Sequence, residues 1–111
     1  MATPVVNITI EKGTDFESTY FINNPEGDAF NLANYSASAR VKKHPSATTS
    51  IPFTVNLIAA TGEVRISMGN TLTSQLSEGR NYYDIVITSL GYGTKTKVIE
   101  GNALVYSSAS V

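Results

Sequence analysis

The sequence has no cysteine, no tryptophan and a single histidine, His44, among its 111 residues. Without thiols there are no disulfides, thiolate metal sites or cysteine nucleophiles, so burial and hydrogen bonding must hold the fold. One imidazole is too few for zinc, which wants about four nitrogen or sulfur ligands. Charge is also sparse: 15% of residues are charged, against ~25% in an average soluble domain. With 8 basic and 9 acidic residues the formal net charge is −1, too little to set up a field for nucleic acid or an anionic membrane. Neither is expected as a partner. The longest apolar run, Leu57 to Ala60, is far too short to cross a bilayer. The opening Met-Ala-Thr-Pro-Val-Val-Asn has no basic region followed by a long apolar stretch, so synthesis without a secretory signal is expected.

In place of charge there are 12 Ser, 13 Thr and 9 Asn, a polar surface typical of strands and turns. The 41% hydrophobic content can support a core, and the length suits one domain over residues 1–111, with flexible termini expected at 1–4 and 107–111. Apolar residues recur every second position. Val6, Ile8 and Ile10 alternate with Asn7, Thr9 and Glu11, and Phe16, Ser18, Tyr20 and Ile22 alternate with Glu17, Thr19 and Phe21. Tyr35, Ala37, Ala39 and Val41 make a third row that stops at His44-Pro45. Phe53, Val55 and Leu57 turn through Thr61-Gly62 into Val64, Ile66 and Met68. Asn70 can cap a single helical turn carrying Leu72 and Leu76. Tyr83, Ile85 and Ile87 then lead through the hairpin signal Leu90-Gly91-Tyr92-Gly93 into a last strand from Lys95 to Tyr106, where Gly101 suggests a bulge or kink. Seven such strands without sustained helical periodicity predict an all-β fold of sandwich or barrel type, and a sandwich best suits a cysteine-free chain of this size.

Catalytic chemistry needs convergent titratable groups, and here the carboxylates are scattered at strand ends and turns, so no enzyme, cofactor or metal is expected. His44, between Lys43 and Pro45, reads as an ordinary loop histidine, although a hydrolase would have it as its one base. Glu26-Gly27-Asp28 reads as a turn rather than a calcium loop, and Gly91-Tyr92-Gly93 as a hairpin turn rather than a phosphate cradle. Lys42-Lys43, Lys95 and Lys97 read as solvated strand faces, and lysines on the last strand also blunt edge pairing. Leu76, Gly79 and Tyr83 have the spacing of a tyrosine corner, in which a buried tyrosine hydroxyl bonds to backbone a few residues upstream in Greek-key sandwiches. Tyr82 and Tyr92, outward or in a loop, are the candidate contact residues.

Taken together, Gly13-Thr14-Asp15-Phe16, Gly27, Leu32 to Tyr35, Leu76 to Ile85, Val98-Ile99-Glu100-Gly101 and Ala103 to Tyr106 resemble small virion proteins of tailed bacteriophages and prophages. The likeness spans nearly the whole chain, and it is similar to the immunoglobulin-like N-terminal domain of phage upper baseplate proteins. The pattern's Gly-x-Tyr-x-Tyr-Asp step reads Gly79-Arg80-Asn81-Tyr82-Tyr83-Asp84 here. The resemblance implies an immunoglobulin-like Greek-key sandwich of about seven antiparallel strands. It also implies a non-enzymatic virion protein of the baseplate, tail or neck, or a capsid decoration, made in the bacterial cytoplasm and docked in multiple copies on other virion proteins. The alternative from another class is a carbohydrate-binding sandwich that contacts host glycans through Tyr82, Tyr92 and the Asn-rich loops.

Overall fold

The computed structural model describes residues 5–22, 32–44, 46 and 50–107. They form eight strands: β1 (Ile8–Lys12), β2 (Phe16–Phe21), β3 (Tyr35–Lys42), β4 (Ile51–Pro52), β5 (Thr54–Ile58), β6 (Glu63–Met68), β7 (Gly79–Ser89) and β8 (Lys95–Ser107). One helical turn, α1 (Asn70–Thr73), joins β6 to β7. The chain is therefore all-β, in two sheets with orders β1-β8-β7-β3-β4 and β2-β6-β5. No helix among the described residues is long and apolar enough to cross a membrane.

The alternating rows explain why two sheets form. Ile10, Val41, Ile85 and Val105 on the large sheet and Tyr20, Val64, Ile66 and Met68 on the small one belong to one buried cluster. Each fully enclosed aliphatic side chain contributes roughly 1.5–3 kcal/mol relative to exposure. Ala39 and Phe53 both belong to this core, and the Phe53 N–H donates to the Ala39 carbonyl at 2.9 Å as the chain leaves β4 for β5. The Phe53 ring sits 5.9 Å from Phe16 and meets Tyr83 edge-on at 6.4 Å, so one residue ties the two layers together.

Four expectations change. There are eight strands rather than seven, because the two-residue β4, containing Pro52, is too short to show a period. The strands are not all antiparallel: β1 pairs with β8 in parallel, from Ile8 opposite Ala103 to Lys12 opposite Ser107. Asn70 is the first residue of α1 rather than its cap, since the capping position is Gly69, which has no side chain to offer. Instead the Asp15 carboxylate accepts from the Asn70 backbone N–H at 2.8 Å, while Thr73 donates to the Thr14 carbonyl and accepts from the Gly13 N–H. The Gly13–Asp15 turn and α1 thus satisfy one another across 55 to 60 positions of sequence. Finally, the bulge in β8 falls opposite the Ile85–Val86 step, where Ile99 and Lys97 are the partners and Val98 is the extra residue, not at Gly101.

Candidate functional site

Tyr83 is buried on the face it shares with Ile85 and Ile87. Its hydroxyl makes no bond to backbone a few residues upstream, so Leu76, Gly79 and Tyr83 do not build a tyrosine corner. It donates to the Val6 carbonyl, 77 positions away, and shares a hydrogen bond with the Tyr20 hydroxyl at 3.1 Å. The reason is the parallel placement of the segment leading into β1, which brings that carbonyl over the inner face of β7. The Val6 N–H donates to the Glu100 carbonyl at 2.9 Å, and Asn7 accepts from the Asn102 N–H at 3.0 Å, fixing the segment against β8. Burial, then the Tyr20 hydrogen bond and charge, push the Tyr83 phenol well above its ordinary range.

The back-bond expected of a tyrosine is made by Asn81. Buried at 3% exposure, its amide donates to the Ser77 carbonyl at 2.8 Å and the Gly79 carbonyl at 3.2 Å. Asn81 stands where the resembling pattern has its first tyrosine. Its parity matches Tyr83, Ile85 and Ile87, a signal present in the sequence that marked it as inward. Leu76 lies in the core, beyond the end of α1.

The outer face of the large sheet gathers the exposed chemistry. β3 and β8 flank β7, so Arg40 is opposite Asp84 and Asp84 opposite Glu100, while Lys42 is opposite Tyr82 and Tyr82 opposite Asn102. These residues, with Lys95 and Lys97, line an open depression of about 580 Å³. Lys97 reaches Asp84 at 3.8 Å, with both side chains close to half exposed, and Arg40 donates to Ser50 at 3.0 Å. Along the sequence the lysines are separate solvated positions, because more than 50 residues divide Lys42 from Lys95. Among the described residues no chain pairs with β8 on that side before Glu100, which Val5 bridges, and Lys95 and Lys97 lie on this stretch. Further along the same face Leu104 and Tyr106 project two residues apart, 51% and 43% exposed. Tyr106 donates to the Glu11 carboxylate at 2.8 Å, a bond that pushes its phenol up.

Both candidate contact tyrosines are exposed, yet the fold does not bring them together. Tyr82 lies in the depression, and Tyr92, 91% exposed, lies beside exposed Leu90 at the β7–β8 turn. Seven strand residues and part of a turn separate them, roughly 25 Å at ~3.3 Å per residue. His44 is exposed, with Nδ1 3.0 Å from the Ser46 hydroxyl, and faces no carboxylate among the described residues. The Glu26-Gly27-Asp28 turn lies outside the described residues, as do 1–4 and 108–111, whereas Ser107 closes β8. Among the described residues no three His, Cys, Asp or Glu side chains group as metal ligands.

No family model matches the chain, and no curated protein matches it. In structure it is similar to a family 123 glycoside hydrolase from Clostridium perfringens, described for glycolipid glycan hydrolysis. The TM-score is 0.42 at 14% identity, over 95% of this chain and 23% of that one. A likeness at this level carries no argument about activity.

Proposed function

We propose that this chain is a non-enzymatic attachment module of a tailed-phage virion, an immunoglobulin-like Greek-key sandwich held in multiple copies on other virion proteins of the tail, baseplate, neck or head. Strand grouping supports the architecture. Immunoglobulin sandwiches place strands B, E and D in one sheet and C, F and G in the other. The orders β2-β6-β5 and β8-β7-β3 follow that grouping, with β4 extending the second sheet and β1 beside the last strand. The family resemblance supplies the virion context.

The observation that carries attachment is the pair Leu104 and Tyr106, exposed together on a sheet face. The solvent face of an antiparallel sheet is ordinarily polar, and exposed aromatic and aliphatic side chains in one patch mark contact surfaces. A patch of this size is weak alone, but many copies on one particle supply avidity. The test replaces both by lysine. Because they face solvent, the double variant stays folded by circular dichroism and is lost from purified particles; wild-type incorporation of the folded variant would overturn the assignment.

A further inference from the structure

We infer that the depression on β3, β7 and β8 is a binding site for an acidic glycan, a carboxylate-bearing pyranoside, distinct from attachment through Leu104 and Tyr106. Its volume of about 580 Å³ lies in the range of ligand clefts, ~300–1,000 Å³.

Three features of the lining define the ligand. The first is charge: Arg40, Lys42, Lys95 and Lys97 stand against Asp84 and Glu100, four cations to two carboxylates, so the surface carries net +2 on a chain of net −1. Among the described residues Lys42 and Lys95 make no ion pair, leaving cation capacity for an incoming carboxylate. The second is Tyr82, 39% exposed, whose ring presents an apolar surface to the C–H side of a pyranose. The third is the mixture of acceptors and donors. Sugar hydroxyls both donate and accept, and here Asp84 and Glu100 accept while Arg40, Lys42 and Asn102 donate. An acidic peptide would gain little from the tyrosine ring and has no hydroxyls for the acceptors Asp84 and Glu100. The mixed floor therefore favours a saccharide over a plain polyanion.

The experiment titrates the folded chain with trigalacturonate, with a neutral galactose trimer and hexaglutamate as comparisons, followed by amide shifts and saturation transfer. Trigalacturonate is expected to perturb Tyr82, Asp84 and Asn102 and to bind more tightly than either comparison. Tyr82→Ala should weaken it about tenfold and Tyr82→Phe should retain it, since the ring does the work. Arg40→Gln should weaken the acidic trimer more than the neutral one, because it removes a charge as well as a donor. Tyr82 and Arg40 face solvent, so their variants keep the wild-type amide dispersion. Absence of binding at millimolar trigalacturonate would overturn the proposal. So would equal affinity for the neutral trimer, or hexaglutamate binding as tightly and ignoring Tyr82→Ala, which would make the surface an acidic-peptide site.

Discussion

Gly101 lies beneath the backbone of Val6 with no room for a side chain: a Cβ there would fall 2.7 Å from the Val6 carbonyl carbon and 3.2 Å from the Tyr83 ring. The glycine is required by close approach of backbone, and the Tyr83 hydroxyl donates to the same carbonyl. Gly101→Ala should therefore cost about 1–3 kcal/mol through overpacking. Tyr83→Phe should also cost about 1–3 kcal/mol, because it leaves the Val6 carbonyl and the Tyr20 hydroxyl without their partner. Urea titrations of both variants measure this, and a wild-type midpoint for either would contradict the packing described.

Alkaline pH should act through the same hydroxyl. The folded Tyr83 phenol is held above the unfolded value of ~10. Folded chains therefore keep a proton that unfolded chains release. Its contribution is fully present below pH ~10 and is lost as pH rises beyond that towards the folded value, by up to about 1.4 kcal/mol per unit. Stability of the wild type should fall more steeply above pH ~10 than that of Tyr83→Phe, and equal slopes would remove this linkage.

Asn81→Ala should destabilise by about 1–3 kcal/mol, since it strips the Ser77 carbonyl of a buried donor. Its neighbour Tyr82 points outward, so Tyr82→Phe should stay within about 0.5 kcal/mol of wild type. Thermal melts of the pair compare a buried corner residue with an exposed aromatic one position away.

These residues also mark how far sequence patterns reach. Period two records which way a side chain points, so Ile85, Ile87, Val64 and Ile66 were legible as core, and the sheets followed. Pairing partners are another matter, because parity is silent about which strand lies beside which. The parallel β1–β8 contact, and with it the Val6 carbonyl as the partner of Tyr83, left no local trace. Lys42 and Lys95 share one face only through the strand order around β7, at opposite ends of the depression, opposite Tyr82 and Thr88. The bulge had a faint signature, since Lys95, Lys97 and Glu100 all point outward and so break strict alternation at Val98. Gly101 misled because a glycine inside a strand signals a bulge and a close backbone approach equally well.

The hairpin separates two glycines of equal sequence appeal. Gly93 has φ of 70°, while Gly91 does not occupy that region, and neither has a neighbour within 4 Å of an added Cβ. Gly93→Ala should cost about 1–2 kcal/mol for the left-handed backbone. Gly91→Ala should be neutral or stabilise by up to ~1 kcal/mol through the unfolded state. Matched denaturation curves decide it, and equal costs would contradict the turn geometry.

Residue-level imaging of purified phage particles whose genome encodes this chain tests the attachment reading most directly. The expected result is density for the two-sheet domain at symmetry-related positions, with Leu104 and Tyr106 covered by a neighbouring virion protein. Particles that lack the chain, while folded protein accumulates free in the lysate, would contradict it.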